Sequence, residues 1–277
     1  MYEELIKSVL EKEKTVYHTV NGGLYLVKGV GNLYRVTSVL GAINFDNGSL
    51  DKWKKKMAIE SIKKDIPLTG SISVKDACAA FAKALDAGDT FAKSAANFGT
   101  TVHGWLETFA ITGGFPKDID PYSPMYKVFQ SVQKFVKDFG IGTDKVTVIK
   151  PELFVYHTLG YAGTADLVCI RNGNVYLIDY KATNSLKTKY LLQLAAYTAA
   201  LKELYGLDVY KAILIRFDKN TGDYERVPVT KEELVIYFEM FKACLMFYRF
   251  IQNPTYASVK DLNTMERLAY VTGGILK

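Results

Sequence analysis

GTADLVCIRNGNVYLIDYK, residues Gly163 to Lys181, reads as a β-hairpin, because two apolar runs flank Asn172-Gly173, the strongest short-range turn signal. A two-residue type I′ turn pairs Arg171 with Asn174. Counting outward then sets Ile170 against Val175, Val168 against Leu177 and Asp166 against Asp179. Facing side chains in such a pair stand ~5 Å apart, and like charges there are destabilising. A hairpin built for stability alone has reason to avoid two aspartates in register, so a positive charge is expected between them. The period-2 alternation of VYLIDYK puts Val175, Leu177, Asp179 and Lys181 on one face and Tyr176, Ile178 and Tyr180 on the other. Lys181 therefore points the same way as the aspartates.

Near the turn both faces of the hairpin are apolar, Val168 with Leu177 on one and Leu167 with Ile178 on the other, as in central strands covered by helices on both sides. Downstream, SLKTKYLLQLAAYTAALKELYG carries helical spacing and VYKAILIRFDK reads as a further strand; a helix joining two extended segments implies a mixed α/β core. PELFVYHTLG precedes the hairpin as a strand, and KEELVIYFEMFKACLMFYRFIQ follows as a long helix. Before residue 150 the chain reads as mainly helical. After a β-like stretch, Leu24–Ile43, helical periodicity runs through LDKWKKKMAIESIKK, VKDACAAFAKALDAG, TFAKSAANFGTTVHGWLETFAI and PMYKVFQSVQKFVKDFG. No repeat, low-complexity tract or Pro/Gly/Ser linker marks a boundary. The expectation is one α/β domain over residues 1–277: a mixed central β-sheet flanked by helices in residues 96–250, and a helical and β substrate-guiding part in residues 1–95.

With 277 residues, 49% of them hydrophobic, the chain can bury one large core or one core plus a helical subdomain. The opening MYEELIKSVLEKEKTVYH has neither a continuous apolar h-region nor a transit-peptide composition, and no later apolar run is long enough to span a bilayer. The expected location is cytoplasmic, the host cytoplasm if phage-encoded, and neither secreted nor membrane-bound. Cys78, Cys169 and Cys244 are isolated, too few for a four-Cys metal or iron–sulfur cluster and odd in number for a disulfide framework. No GxxxxGK[ST] loop is present to bind a nucleotide. The net charge of +6, from 35 Lys+Arg against 29 Asp+Glu, permits a polyanionic partner without demanding one.

Two carboxylates and one ammonium at the end of a buried hairpin are either an ion pair closing the core or a cation site. Hard divalent cations take oxygen ligands. A lysine beside a metal-held phosphate orients water and stabilises the charge that builds up in phosphodiester hydrolysis. Three further blocks carry polar residues in suggestive places. GTTVHGWLE presents His103 and Glu107 at i and i+4 on one helix face. PELFVYHTLGYAGTAD sets Glu152 ahead of Asp166, and YLLQLAAY puts Gln193 and Tyr197 one turn apart on a helix whose other positions read as core. Each has a plain alternative: a core histidine, a strand-end surface carboxylate, ordinary amphipathic positions.

Taken in order, these blocks resemble the PD-(D/E)XK nuclease superfamily in its RecB-like branch: Asp166, then Asp179-Tyr180-Lys181, with no proline before Asp166, GTTVHGWLE upstream and a QxxxY element, Gln193 and Tyr197, downstream. YRVTSVLGAINFDNGSLDKWKKKMA is also similar to the (P)SVTxIL…LxxW segment of phage-type exonucleases and the mitochondrial genome maintenance exonuclease group. The matching residues are Val36-Thr37-Ser38-Val39-Leu40, Leu50 and Trp53, with Arg35 where the usual proline stands.

The resemblance implies a restriction-endonuclease-like nuclease core. His103, Asp166, Asp179 and the Tyr180 main-chain carbonyl would hold Mg²⁺ or Mn²⁺, an imidazole biasing the site toward Mn²⁺. Lys181 would help activate the attacking water, Glu152 would add a carboxylate near the site, Gln193 and Tyr197 would position the strand, and Glu107 would support from behind. The implied activity is that of a metal-dependent DNA exonuclease of replication, recombination or repair. Its substrate would be single-stranded rather than double-stranded DNA, with replication or recombination proteins as partners. The alternatives are a structure-selective endonuclease and a catalytically silent DNA-binding module on the same fold. Lys52, Lys54, Lys55, Lys56, Lys63 and Lys64 follow Trp53 on or near one helix, forming either the basic wall of a DNA path or a solvated helix face.

Overall fold

The computed structural model describes residues 2–16, 18–21, 23–42, 49–65, 72–183 and 185–252; the side chains of Leu50 and Trp53 lie outside what it describes. In chain order the elements are α1 (Glu3–Thr15), β1 (His18–Asn21), β2 (Leu24–Val27), β3 (Gly31–Arg35), α2 (Val36–Ala42), α3 (Ser49–Asp65), α4 (Val74–Thr112) and α5 (Tyr126–Phe139). They are followed by β4 (Val146–His157), β5 (Tyr161–Arg171), β6 (Asn174–Lys181), α6 (Thr188–Tyr205), β7 (Val209–Phe217), β8 (Tyr224–Val229) and α7 (Lys231–Gln252). The chain divides into two compact units, Met1–Ile43 with His103–Lys277, and Asn44–Val102.

The first unit is built on a mixed eight-stranded sheet in the order β1-β2-β3-β5-β6-β7-β8, with β4 paired to β5. The β5–β6 hairpin turns where Asn172 (φ 49°) and Gly173 (φ 79°) both take positive φ, as a type I′ turn requires. Its register is the expected one: Arg171–Asn174, Ile170–Val175 and Val168–Leu177 all pair. Both faces are covered. Leu177 and Val168 join Leu194, Leu201 and Phe241 in one core, while Tyr176 and Tyr180 meet Phe139 and Phe135 of α5 in an aromatic cluster on the other face. The connection from β6 through α6 to β7 pairs β6 and β7 in parallel, and Gly206, at φ 70°, ends α6 in the left-handed conformation favoured at helix C-termini.

β5 spends one edge on β4 along its whole length. Its other edge is divided between β3, through Tyr34–Tyr161 and Arg35–Ala162, and β6, from Leu167–Ile178 onward. The segment Gly163–Asp166 lies in the fork between them with no ladder partner on that edge. Beneath the fork sits Tyr197 of α6: a Cβ on Gly163 would come within 2.5 Å of Tyr197 Cε1, so the close approach of ring to backbone requires glycine.

β4 is an edge strand, which is why Pro151, lacking an N–H, is accommodated in it. Its outer edge is covered: Glu13 of α1 pairs with Lys150 and accepts from Phe154 N, and Tyr205 OH donates to Phe154 O at 2.7 Å. The register slips between Val148 and Lys150, and two residues further on Glu152 takes φ 49°, a left-handed conformation rarely seen for a side-chain-bearing residue.

Four expectations are corrected. Val36–Ala42 forms helix α2 and ends the β-like run beginning at Leu24. The two helices read on either side of residue 88 are one continuous helix, α4, because a lone glycine weakens a helix by only ~1 kcal/mol and no proline follows. The strand before the hairpin begins at Val146 instead of Pro151. The ladder stops at Leu167–Ile178, so Asp166 and Asp179 are not a ladder pair.

The second unit contains α3 and α4 up to Val102. There Lys83 pairs with Asp65 at 2.8 Å, and both line a groove with Met57, Lys64 and Ala87. Lys52, Lys55, Lys56, Lys63 and Lys64 are exposed, Lys54 is half-buried, and Lys56 stands 4.0 Å from Glu60 one turn on.

Candidate active site

The fork in β5 is where the charged residues converge. The ladder stops at Leu167–Ile178 because Asp166 supplies the next acceptor itself: Tyr180 N donates to Asp166 Oδ2 at 2.7 Å. Tyr180 O in turn accepts from His103 Nε2 at 3.1 Å, so the main chain of Tyr180 links Asp166 of β5 to His103 of α4. With Nε2 committed, His103 Nδ1 faces the carboxylates and stands 3.6 Å from both Asp166 Oδ1 and Glu152 Oε1. Glu152 falls opposite Asp166, between the pairs Pro151–Leu167 and Leu153–Ala165, and its left-handed backbone belongs to the strained geometry typical of functional sites.

Asp179 is fully buried. Its Oδ1 accepts from Gln193 Nε2 at 3.1 Å, and Oδ2 lies 2.5 Å from Lys181 Nζ, an ion-pair contact without hydrogen-bond alignment. Gln193 Nε2 also reaches Tyr197 OH at 3.3 Å, so the two polar tips of α6 point together under the site, both buried. Lys181 Nζ stands 5.0 Å from the centre of the Tyr190 ring.

The charges explain one another. Burial raises the Asp166 carboxyl, opposed by His103 and Lys181. Burial likewise pushes Asp179 up to about 6 against the pull of Lys181. For His103 burial works against the imidazolium, but Asp166 and the hydrogen bond with Glu152 prevail and hold it at about 9. Lys181 is also held above the usual lysine value: burial opposes this, and Asp179 and Asp166 outweigh it. Both bases are thus cationic at neutral pH.

One atom each from His103, Glu152 and Asp166 lies within 4.8 Å of the others, the spacing of a metal-ligand set. An imidazole nitrogen with two carboxylates suits a divalent first-row ion, and the Nε2–carbonyl bond fixes the ring as metal-ligating histidines require. The protonated His103 holds the position of positive charge that a cation would take. The residues therefore fit a divalent metal.

Asp166, Asp179, Lys181, His103, Gln193 and Tyr197 are brought together, and Glu152 completes the three-ligand cluster in which Asp179 has no part. The Tyr180 carbonyl is engaged by His103. Glu107, one turn beyond His103, is exposed and does not line the cavity. The cavity, of about 450 Å³, is also lined by Arg35 and Thr37, noticed in the sequence only as part of a family-like segment and given no role in the site, and by Tyr25, Lys189 and Tyr190, which were not singled out. For Lys189 and Tyr190 the signal was present: they precede Gln193 by four and three residues on the helix face that also carries Tyr197.

Fold and cluster together define an α/β protein with a carboxylate–imidazole–lysine centre at the fork of its sheet. Residues 127–261, which carry Glu152, Asp166, Asp179 and Lys181, match the family model of the PD-(D/E)XK nuclease superfamily, which supports placing this core in that superfamily. That superfamily consists of nucleases, which usually use divalent metals. No curated protein matches the chain. Among the described residues, no helix is long and apolar enough to cross a membrane.

Proposed function

We propose that the protein is a Mg²⁺- or Mn²⁺-dependent DNA exonuclease that hydrolyses phosphodiester bonds in phage- or organellar-type replication, recombination or repair, with single-stranded DNA as its substrate. The observation that carries the reading is the convergence of His103, Glu152 and Asp166 within 4.8 Å, beside Lys181 paired to a buried Asp179. When bound, the cation supplies Lewis-acid polarisation of the scissile phosphate and neutralises its charge. Lys181, an ammonium in this setting, orients the attacking water and donates to a phosphoryl oxygen as charge builds there. It cannot also accept the water's proton. That proton goes to a carboxylate, and Glu152, with 36% of its side chain exposed, is the most accessible of the three. Gln193 positions Asp179, and Tyr197 braces Gln193.

The test is end-labelled DNA, single- and double-stranded, linear and circular, incubated with Mg²⁺, Mn²⁺ or EDTA. Progressive loss of linear single strands, abolished by EDTA and by Asp179→Ala or Lys181→Ala, is expected. Full cleavage in EDTA, or by the Asp179→Ala protein, would sink the reading. Cutting of circular single strands would make the enzyme an endonuclease, since a circle offers no end.

A further inference from the structure

Helix α7 is apolar on two sides. Leu234, Phe238, Phe241, Leu245 and Tyr248 recur at a 4-3-4-3 spacing and turn inward: Leu234, Phe241 and Leu245 are buried, and Phe238 and Tyr248 pack against the same core. A second row, offset by two residues, repeats that spacing on the opposite side: Ile236, Met240, Ala243, Phe247 and Phe250. All five are exposed, Ile236 by 55%, Met240 by 50%, Phe247 by 53% and Phe250 by 61%. Val235, Met246 and Ile251 flank the row and are exposed as well. A 4-3 repeat is the seam along which one helix meets another, and a helix that is apolar all round belongs in an interior. With each large side chain about half exposed, on the order of 100 Å² apiece, row and flanks together present roughly 700 Å². That is more than a monomer usually leaves open and close to the ~800 Å² per partner of a specific interface.

We infer that this face of α7 pairs with the same face of a second copy of the chain, the two helices running antiparallel about a two-fold axis at Ala243. A two-fold contact needs a self-complementary surface, and the row provides one. Ile236 meets the partner's Phe250 and Met240 meets the partner's Phe247, so an aliphatic side chain packs on a ring at each step, while the small Ala243 sits where the helices cross. The charges select the direction. The acidic residues of this face, Glu232, Glu233 and Glu239, all lie in its N-terminal half, and Glu239 stands at the margin, paired with Lys242 at 2.7 Å. A parallel pair would set each acid against its own copy. The antiparallel pair sets them against an uncharged half and opposes the two helix dipoles. The residues lining the cavity at the metal cluster include none from α7, so substitutions on this face report on pairing without touching the site.

Sedimentation velocity on the full chain over a concentration series tests the pairing. The wild type should pass from one chain to two as concentration rises. Phe247→Glu should raise the dissociation constant by about tenfold or more, and its melting temperature, taken where both proteins are single chains, should match the wild type because the side chain is exposed. Ile236→Lys and Phe250→Glu should each weaken pairing in the same way. The chain carrying both should regain it, since the antiparallel register sets lysine against glutamate twice; a parallel pair would set like charges together. A wild type that stays a single chain throughout overturns the inference, as does a dimer that Phe247→Glu leaves intact or a double substitution that regains nothing. A single-chain wild type that dimerises only once residues 253–277 are removed also overturns it, and gives the face to the chain's own C-terminal segment.

Discussion

His103 is the residue on which proton and metal compete. Its pKa, held at about 9 against an ordinary 6.5, is raised in the folded state. The stability it contributes to the metal-free protein is therefore complete below pH 6.5 and is lost as pH rises through about 9. In EDTA, thermal melts should show the advantage of the wild type over His103→Gln shrinking across that window; a constant difference would place the ring outside the charge cluster. Metal binding runs the other way, because Nδ1 must be free of its proton. Mn²⁺ affinity should climb between pH 6.5 and 9, with release of about one proton per ion, measurable by calorimetry in buffers of different ionisation enthalpy. His103→Ala should bind Mn²⁺ more weakly and release fewer protons. A core histidine would lower the melting temperature and leave the metal titration unchanged.

Among the elements, the fork in β5 depends on Gly163. Adding a methyl group there drives it into Tyr197, which cannot move without disturbing Gln193 and through it Asp179. Gly163→Ala should lose about 1–3 kcal/mol of stability, as overpacking does. Pairing it with Tyr197→Leu should cost less than the sum of the two single changes, and denaturant melts of the four proteins check this; strict additivity would mean the ring is not what the methyl meets. The fork was only half legible in the sequence. Asn172-Gly173 and the alternation of VYLIDYK disclosed the hairpin, its register and the shared face of Asp179 and Lys181, because these are local and periodic. That β3 and β6 divide one edge of β5 was not legible, since strand partnership is decided by segments more than a hundred residues apart. Asp166 consequently looked like a ladder partner of Asp179, when its carboxylate instead takes the Tyr180 N–H. Glu152 had no local signal of its strained backbone, and Arg35 drew notice only as a departure from a family pattern.

Across the whole molecule, the ladder pairs that join the three N-terminal strands to the rest of the sheet are, among the described residues, Tyr34–Tyr161 and Arg35–Ala162. Such a seam should open at lower free energy than the β5–β6 hairpin between Leu167 and Ile178, which is paired strand to strand and covered on both faces. Amide hydrogen exchange followed by mass spectrometry should find β1 to β3 exchanging well before residues 167–178; equal protection would show one cooperative sheet. In the Asn44–Val102 unit, reversing Lys54, Lys55 and Lys56 to Glu tests whether these lysines meet DNA. If they do, affinity falls and the salt slope flattens by about one unit for each phosphate no longer neutralised, while cleavage at saturating DNA survives. Normal binding across a salt series would leave them a solvated helix face. In the first unit, the backbone at Glu152 wants glycine and the metal cluster wants a carboxylate. Glu152→Gly should melt at a higher temperature and bind Mn²⁺ more weakly, since a left-handed residue with a side chain costs about 1–2 kcal/mol. A library diversified at position 152 and sorted for folding alone should thus drift toward glycine and asparagine, while one sorted for nuclease function should hold the acid. The distance between those two outcomes measures what the site demands from the fold that carries it.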